Sequence, residues 1–111
     1  MNDCIFCDII KQDRTKQDLA KILYEDEHCI VIPDKFPAYK KHFLIITKQH
    51  FVDLNDIAQN NPAILGHIMA NIKIITELVG LPEYKLFIHN GAGANQKVMH
   101  LHIHICCNQR K

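Results

Sequence analysis

The chain has 111 residues, 48% of them hydrophobic and 23% charged, with a formal net charge of +1. That length suits a single domain spanning residues 1–111 and not two, and the near-neutral charge gives no bulk electrostatic case for nucleic acid or another large anionic partner. No run of about 18 apolar residues offers a membrane span, and "MNDCIFCDII" lacks the basic start and long apolar core of a secretory signal. The expected compartment is therefore the cytoplasm, where five cysteines point to metal binding or redox chemistry more than to a disulfide framework.

In chain order, "CIFCDIIKQD" predicts a short helical turn followed by a polar loop. "KILYED" and "HCIVIPD" predict two short strands joined by the acidic turn Glu25-Asp26-Glu27. A loop with Pro33 and Pro37 as punctuation follows, then the β-branched strand "HFLIIT" and a short helix in "FVDLNDIAQ". Next comes one long helix. Asn61 suits its N-cap, Pro62 its first position and Gly80 its C-terminal cap. Ile64, Leu65, Ile68, Met69, Ile72, Ile75, Leu78 and Val79 recur between them at spacings of three and four. At about 1.5 Å per residue such a helix runs roughly 27 Å. "YKLFIH" predicts a strand, "NGAGANQ" a glycine-rich loop, and a last strand runs from about Val98 to Cys106. Strands, a long helix and strands again read as α+β with a mainly antiparallel sheet.

The last strand carries the chemistry. Alternation places Val98, His100, His102, His104 and Cys106 on one face, and Met99, Leu101, Ile103, Ile105 and Cys107 on the other. The apolar face is expected under the long helix, so the histidine face is expected to be open or filled by a ligand. Same-face neighbours stand about 6.6 Å apart, close enough to converge on one metal ion or to flank one phosphate. Two readings follow. The histidines can be metal ligands that activate water, or one can be a nucleophile that attacks phosphorus while its neighbours orient it and stabilise charge. The loop "NGAGANQKV" can cradle a phosphate with backbone N–H groups and amides; taken alone it reads more readily as a glycine-rich hairpin turn.

Cys4 and Cys7 form C-x-x-C, half of a tetrahedral zinc site. A redox pair is the rival, although such a pair normally follows a strand and only three residues precede this one; an unliganded pair is the third option. If zinc is bound, His50, just beyond "HFLIIT", suits the third position and His100 the fourth. Four protein ligands close a site and make it structural, leaving His102 and His104 for chemistry. Cys29 reads as core, and Cys106 and Cys107 as packing and chain-end residues.

"HLHIH" preceded by "NQKVM" resembles the signature of the histidine triad (HIT) family. "CIFCDII" is similar to the family's N-terminal segment, "HFLIITKQH" to its central strand and loop, and "FIHNGAGANQKVMHLHIH" to its closing hairpin. The resemblance is strongest to the small histidine triad nucleotide-binding proteins of the zinc-carrying bacterial type. It implies a homodimer with five antiparallel strands per subunit, one long helix and a short N-terminal helix. It implies a purine nucleotide pocket and hydrolysis of nucleoside 5′-phosphoramidates or related nucleoside monophosphate derivatives through a nucleotidyl-histidine. The alternatives are a non-catalytic nucleotide-binding module and a diadenosine polyphosphate hydrolase. By the same resemblance His102 is the nucleophile, His104 contacts phosphate or leaving group, and His42 supports the triad. Asn90 and Gln96 match phosphate-side positions, Asp34 the ribose-binding acid, and Ile5, Phe6, Ile9 and Ile32 the walls around the base. Cys4, Cys7, His50 and His100 match the ligands of one structural zinc per subunit. Lys97 stands near the phosphate where relatives often carry a small hydroxyl residue, and Pro33 replaces a polar residue near the ribose.

Overall fold

The computed structural model describes residues 4–12 and 20–111. Five strands form one antiparallel sheet: β1 (Tyr24–Glu25), β2 (Cys29–Pro33), β3 (His42–Thr47), β4 (Lys85–Phe87) and β5 (His102–Cys106), in the order β1-β2-β3-β5-β4. The register sets Ile46 opposite His102, Leu44 opposite His104 and His42 opposite Cys106. Alternation then sorts the side chains. Cys29, Val31, Ile45, Ile103 and Ile105 enter a core beneath the large helices. Ile30, Ile32, Leu44 and Ile46 enter a second, smaller core with Phe6 and Ile9 of the N-terminal helix.

That helix, α1 (Ile5–Lys11), starts at Cys4, whose Sγ accepts the Cys7 N–H at 3.4 Å. Helix α2 (Leu54–Asn60) has a reciprocal start: the Asp53 carboxylate accepts the Asp56 N–H at 2.9 Å, and the Asp56 carboxylate accepts the Val52 N–H at 2.8 Å.

The expected single helix from Pro62 to Val79 is two, α3 (Pro62–Ala70) and α4 (Ile72–Val79), bent by 49°. The cause lies at Asn71, whose side-chain amide donates to the His67 carbonyl at 2.8 Å, the acceptor its own backbone N–H reaches at 3.2 Å. A side chain that enters the backbone ladder in this way kinks a helix. Asn61 sits at the N-cap position of α3 without a side-chain capping bond. Gly80 ends α4 in the left-handed region at φ 77°, and Lys41 Nζ donates to its carbonyl at 2.9 Å. The apolar stripe holds at Ile64, Ile68, Ile72 and Ile75, all buried, but Met69 and Leu78 are exposed. Each buried isoleucine contributes about 1.5–3 kcal/mol, so these four outweigh the roughly 1 kcal/mol that a missing cap costs. Among the described residues no single helix is long and apolar enough to cross a membrane.

The last strand is also shorter than expected. β3 ends at Thr47 and the chain turns, so residues 98–101 have no strand to pair with; instead the Leu101 N–H donates to the Phe51 carbonyl at 2.7 Å. The alternation nevertheless persists back to His100, buried beside Phe6, while Leu101 enters the helix-side core. Met99 breaks the pattern and is exposed.

The β1–β2 turn is organised by Asp26. Its carboxylate accepts from the Tyr24 hydroxyl (2.7 Å), the N–H groups of His28 (2.7 Å) and Cys29 (3.0 Å), and pairs with His67 Nε2 of α3 (3.0 Å). Burial alone would raise its pKa, but these donors outweigh it and hold the carboxyl well below its ordinary range. A depressed carboxyl pKa stabilises the fold above the unfolded value and ceases to do so as pH falls through the folded one. Asp26→Ala should therefore cost about 2 kcal/mol in urea unfolding at neutral pH, and the difference from wild type should shrink as the solution is acidified.

Candidate active site and metal centre

On the α1 side of the sheet lies a cavity of about 810 Å³. Its apolar wall is made by Ile5, Phe6 and Ile9 of α1 with Ile32, Leu44 and Val98; Asp34, Lys97, His102 and His104 also line it. Eight of the expected site residues thus converge on one space: Ile5, Phe6, Ile9, Ile32, Asp34, Lys97, His102 and His104. His42 stands behind them, bonded to His104.

Asn90 and Gln96 do not line the cavity. The Asn90 side-chain Oδ1 accepts the Leu54 N–H at 2.8 Å. Gln96 is buried, with its amide nitrogen donating to the carbonyls of Val52 (2.7 Å) and Val98 (2.9 Å) and its oxygen accepting the Gly91 N–H (2.7 Å). Gln96 is thus fully engaged in holding the loop, and Asn90 Oδ1 ties the loop's entry to the first residue of α2. The cavity is lined instead by Asn95, in the left-handed region at φ 74°, where asparagine is tolerated better than most residues.

Hydrogen bonds to backbone groups fix the imidazole tautomers. His102 Nδ1 lies 2.8 Å from the His100 carbonyl. A carbonyl only accepts, so Nδ1 carries the proton and Nε2 keeps a lone pair. His42 Nδ1 accepts the Ala38 N–H at 3.1 Å, so the proton of neutral His42 is on Nε2. That N–H lies 2.9 Å from His104 Nδ1 and 3.3 Å from Asp34 Oδ2. His104 Nδ1 is thus the acceptor and its Nε2 carries a proton. The result is one open lone pair on His102 and one open N–H on His104, both on residues that line the cavity. Asp34, His42 and His104 have the proximity of a metal-binding trio. However, His42 Nδ1 is already an acceptor, so a metal on its Nε2 would require an imidazolate. The trio is a proton-ordered chain.

Burial, the largest influence, lowers the His102 pKa, opposed by its bond to the His100 carbonyl and by the Asp34 charge. Burial also lowers His42, against the Asp34 charge. His104 falls to about 4 through burial and the neighbouring His102 and His42, with Asp34 opposing. Phe87, opposite His104 in the β4–β5 register, stacks on its ring at 4.5 Å and 7°, and Phe6 meets the His102 ring edge-on at 5.0 Å.

The second cluster lies at the start of α1. The ligand atoms of Cys4, Cys7, His50 and His100 all fall within 4.8 Å of one another and can hold a metal ion. His100 Nε2 lies 2.7 Å from the Thr47 carbonyl, which puts the proton on Nε2 and turns the Nδ1 lone pair toward Cys4 Sγ (3.2 Å) and Cys7 Sγ (3.5 Å). His50 Nδ1 is 3.2 Å from Cys7 Sγ. A backbone carbonyl behind the imidazole is a common outer partner of a metal-ligating histidine.

Sequence reasoning missed His89, Asn95, Lys21, Lys35 and Phe36 on the cavity wall and Phe87 behind His104. Period two in β4 gives Phe87 away once its register with β5 is known. The signal for His89 is its place immediately before the loop that leads back to the triad.

An α+β sheet that aims imidazoles from alternate strand positions into an apolar-walled cavity defines a histidine-triad type of small-ligand site. Residues 15–111 match the model of the HIT domain. Protein HitA of Neisseria gonorrhoeae is 38% identical over 106 residues, 95% of either chain. An adenylylsulfatase of Arabidopsis thaliana is 35% identical over 108 residues, which are 94% of this chain and 51% of that protein. A solved HIT family hydrolase from Clostridium thermocellum superimposes with a TM-score of 0.82 at 37% identity, over 96% of this chain and 90% of its own. The chain belongs to the HIT family.

The tautomers make a direct prediction. In nitrogen-resolved NMR at neutral pH, His102 should carry its proton on Nδ1 and His104 on Nε2. The His104 midpoint should lie near 4. Between that value and the ordinary 6.5, the unfolded chain binds a proton that the folded one refuses, so this group makes stability rise with pH across the window and level off above it. A His104 midpoint near 6.5, or a proton on its Nδ1, would contradict the arrangement.

Proposed function

We propose that this protein is a hydrolase of nucleoside 5′-phosphoramidates and related nucleoside monophosphate derivatives, acting through a covalent nucleotidyl-His102. The observation that carries it is the His102 tautomer: Nδ1 is held by the His100 carbonyl at 2.8 Å, which leaves the Nε2 lone pair as nucleophile in the cavity. Burial that keeps the ring neutral supports the same role. In the first step Nε2 bonds to phosphorus and the bond to the leaving group breaks, the leaving group taking the electron pair; an amine that departs from a nitrogen already protonated by solvent leaves neutral. The His104 Nε2–H stabilises charge on a phosphoryl oxygen, held in place by His42 and by the stacked Phe87. In the second step water attacks phosphorus, the nucleoside monophosphate leaves, one proton goes to solvent and His102 regains its lone pair.

Substrate binding follows the walls. Ile5, Phe6, Ile9 and Ile32 take the purine. The Asp34 carboxylate accepts ribose hydroxyls, its Oδ1 being positioned by the Phe36 N–H at 2.9 Å. Lys97 and the chain at Asn95 approach the phosphate.

We further propose zinc at Cys4, Cys7, His50 and His100. A tetrahedral zinc with Zn–S near 2.3 Å and Zn–N near 2.0–2.1 Å sets S–N edges of about 3.6 Å; the sulfur–nitrogen contacts here are 3.2 to 3.5 Å. Four protein ligands leave no open position, so the ion supplies structure and no chemistry. That neither cysteine is in a disulfide suits a reducing compartment such as the cytoplasm. A homodimer is supported by Ile74 and Leu78, one turn apart on α4 and 54% and 60% exposed.

Two outcomes test these proposals. His102→Ala should lower kcat on an adenosine phosphoramidate by at least about a thousandfold while adenosine monophosphate still binds within a few-fold; a variant that retains full turnover would refute the nucleophile. Purified protein should contain about one zinc per chain by elemental analysis, and Cys4→Ser should lower zinc content and thermal stability more than intrinsic activity. Metal-free protein of unchanged stability would refute the zinc site.

A further inference from the structure

The Nε2–H of His42 has two acceptors within reach, His104 Nδ1 at 2.9 Å and Asp34 Oδ2 at 3.3 Å. A charged carboxylate is ordinarily the stronger acceptor, yet the imidazole holds the shorter bond. Asp34 Oδ2 also lies 3.7 Å from His104 Nδ1. If His42 let go, that nitrogen would be drawn to take a proton itself and donate to Asp34, and the cavity-facing Nε2–H would be lost. Where the His42 ring stands therefore decides which nitrogen of His104 is protonated. Two groups set its place: the Ala38 N–H, which donates to Nδ1 at 3.1 Å, and the Tyr39 ring, which meets it at 5.6 Å and 66°.

Ala38 and Tyr39 lie in the connection between β2 and β3, the kind of segment that is ordinarily the least ordered part of a fold. Here it is held by residues 107–111. The Cys107 N–H donates to the Lys41 carbonyl (3.0 Å), the Lys40 N–H to the Gln109 carbonyl (3.0 Å) and the Lys111 N–H to the Ala38 carbonyl (3.2 Å). Tyr39 and Arg110 face each other as an antiparallel bridge, with Arg110 Cζ 4.8 Å from the centre of the Tyr39 ring. Lys85 of β4 places its Nζ 4.2 Å from the same centre and donates to the Tyr39 hydroxyl (2.9 Å) and to Asn108 Oδ1 (3.1 Å). Tyr39 is buried as a result.

We propose that residues 107–111 form a positioning latch for the triad. By holding the 38–41 segment, with Tyr39, Lys85 and Arg110 as the positioning side chains, the latch keeps His42 bonded to His104 and so keeps the His104 proton on the nitrogen that meets the phosphate. None of these three side chains lines the cavity, so each acts through His42. The consequence for turnover rests on the nucleotidyl-His102 mechanism; the consequence for the His104 proton does not.

The test is a Lys85→Met, Arg110→Ala double variant of the intact protein, read in two ways. In nitrogen-resolved NMR at neutral pH, a form of His104 with its proton on Nδ1 should appear beside the wild-type form. On an adenosine phosphoramidate, kcat should fall about five- to tenfold with KM within about twofold of wild type, and Arg110→Lys alone should stay near wild type in both readings. Should the double variant fail to fold, Lys111→Pro removes only the N–H that the Ala38 carbonyl accepts and should shift the same His104 signal. A folded variant whose His104 stays protonated on Nε2 alone would overturn the latch, whatever its turnover. A shifted His104 with unchanged kcat would overturn its part in the reaction. Wild type without phosphoramidase activity would remove the hydrolase reading, and the His104 spectrum would still decide the latch.

Discussion

The bond from His102 Nδ1–H to the His100 carbonyl is the constraint on which the site depends. It spans two residues of one chain segment, so it needs no distant partner to assemble. It fixes which nitrogen holds the proton, and by elimination which one holds the lone pair. A second backbone carbonyl, that of Thr47, does the same for His100 at 2.7 Å, with the opposite outcome: there Nδ1 is the open nitrogen, and it faces two sulfurs. Two neighbouring imidazoles of identical chemistry are thus assigned to different tasks by which ring nitrogen meets a carbonyl.

The pleat separates the two sites, and α1 connects them. His100 and His102 project to the same side of the sheet, one toward Cys4 and Cys7, the other toward the cavity. The two cysteines flank the start of α1, and Ile5, Phe6 and Ile9 of the same helix wall the cavity. Phe6 touches both imidazoles, at 5.8 Å from His100 and 5.0 Å from His102. Whatever anchors Cys4 and Cys7 therefore anchors the apolar wall of the ligand site. A seven-residue helix is too short to be stable alone, so this tether and the smaller core are what keep it in place.

Much of this was legible in the sequence. Strict alternation in "HLHIHI" gives the two faces of β5, and the "HFLIIT" strand appears with its expected ends. The C-x-x-C of Cys4 and Cys7, His50 just beyond one strand and His100 at the start of another, together with the family resemblance, name four residues that the fold does cluster. What stayed hidden has physical causes. The bend at Asn71 depends on a side-chain amide competing for one carbonyl, which periodicity does not register. The early end of pairing beyond His102 depends on where β3 stops. Gln96 and Asn90 look like ligand amides in sequence, and only the fold shows both amide groups of Gln96 and the Oδ1 of Asn90 engaged by backbone. His89 and Phe87 acquire meaning through their neighbours across β5, a long-range fact.

The central claim is that a neutral, tautomer-fixed His102 becomes covalently nucleotidylated. The most direct test is rapid acid-free quenching of the protein with an adenosine phosphoramidate, followed by peptide mass spectrometry. The account predicts one adenylyl group per chain, attached to the imidazole at position 102 and gone once substrate is exhausted. Turnover with no adduct on that residue at any time, or an adduct on a different histidine, would contradict it.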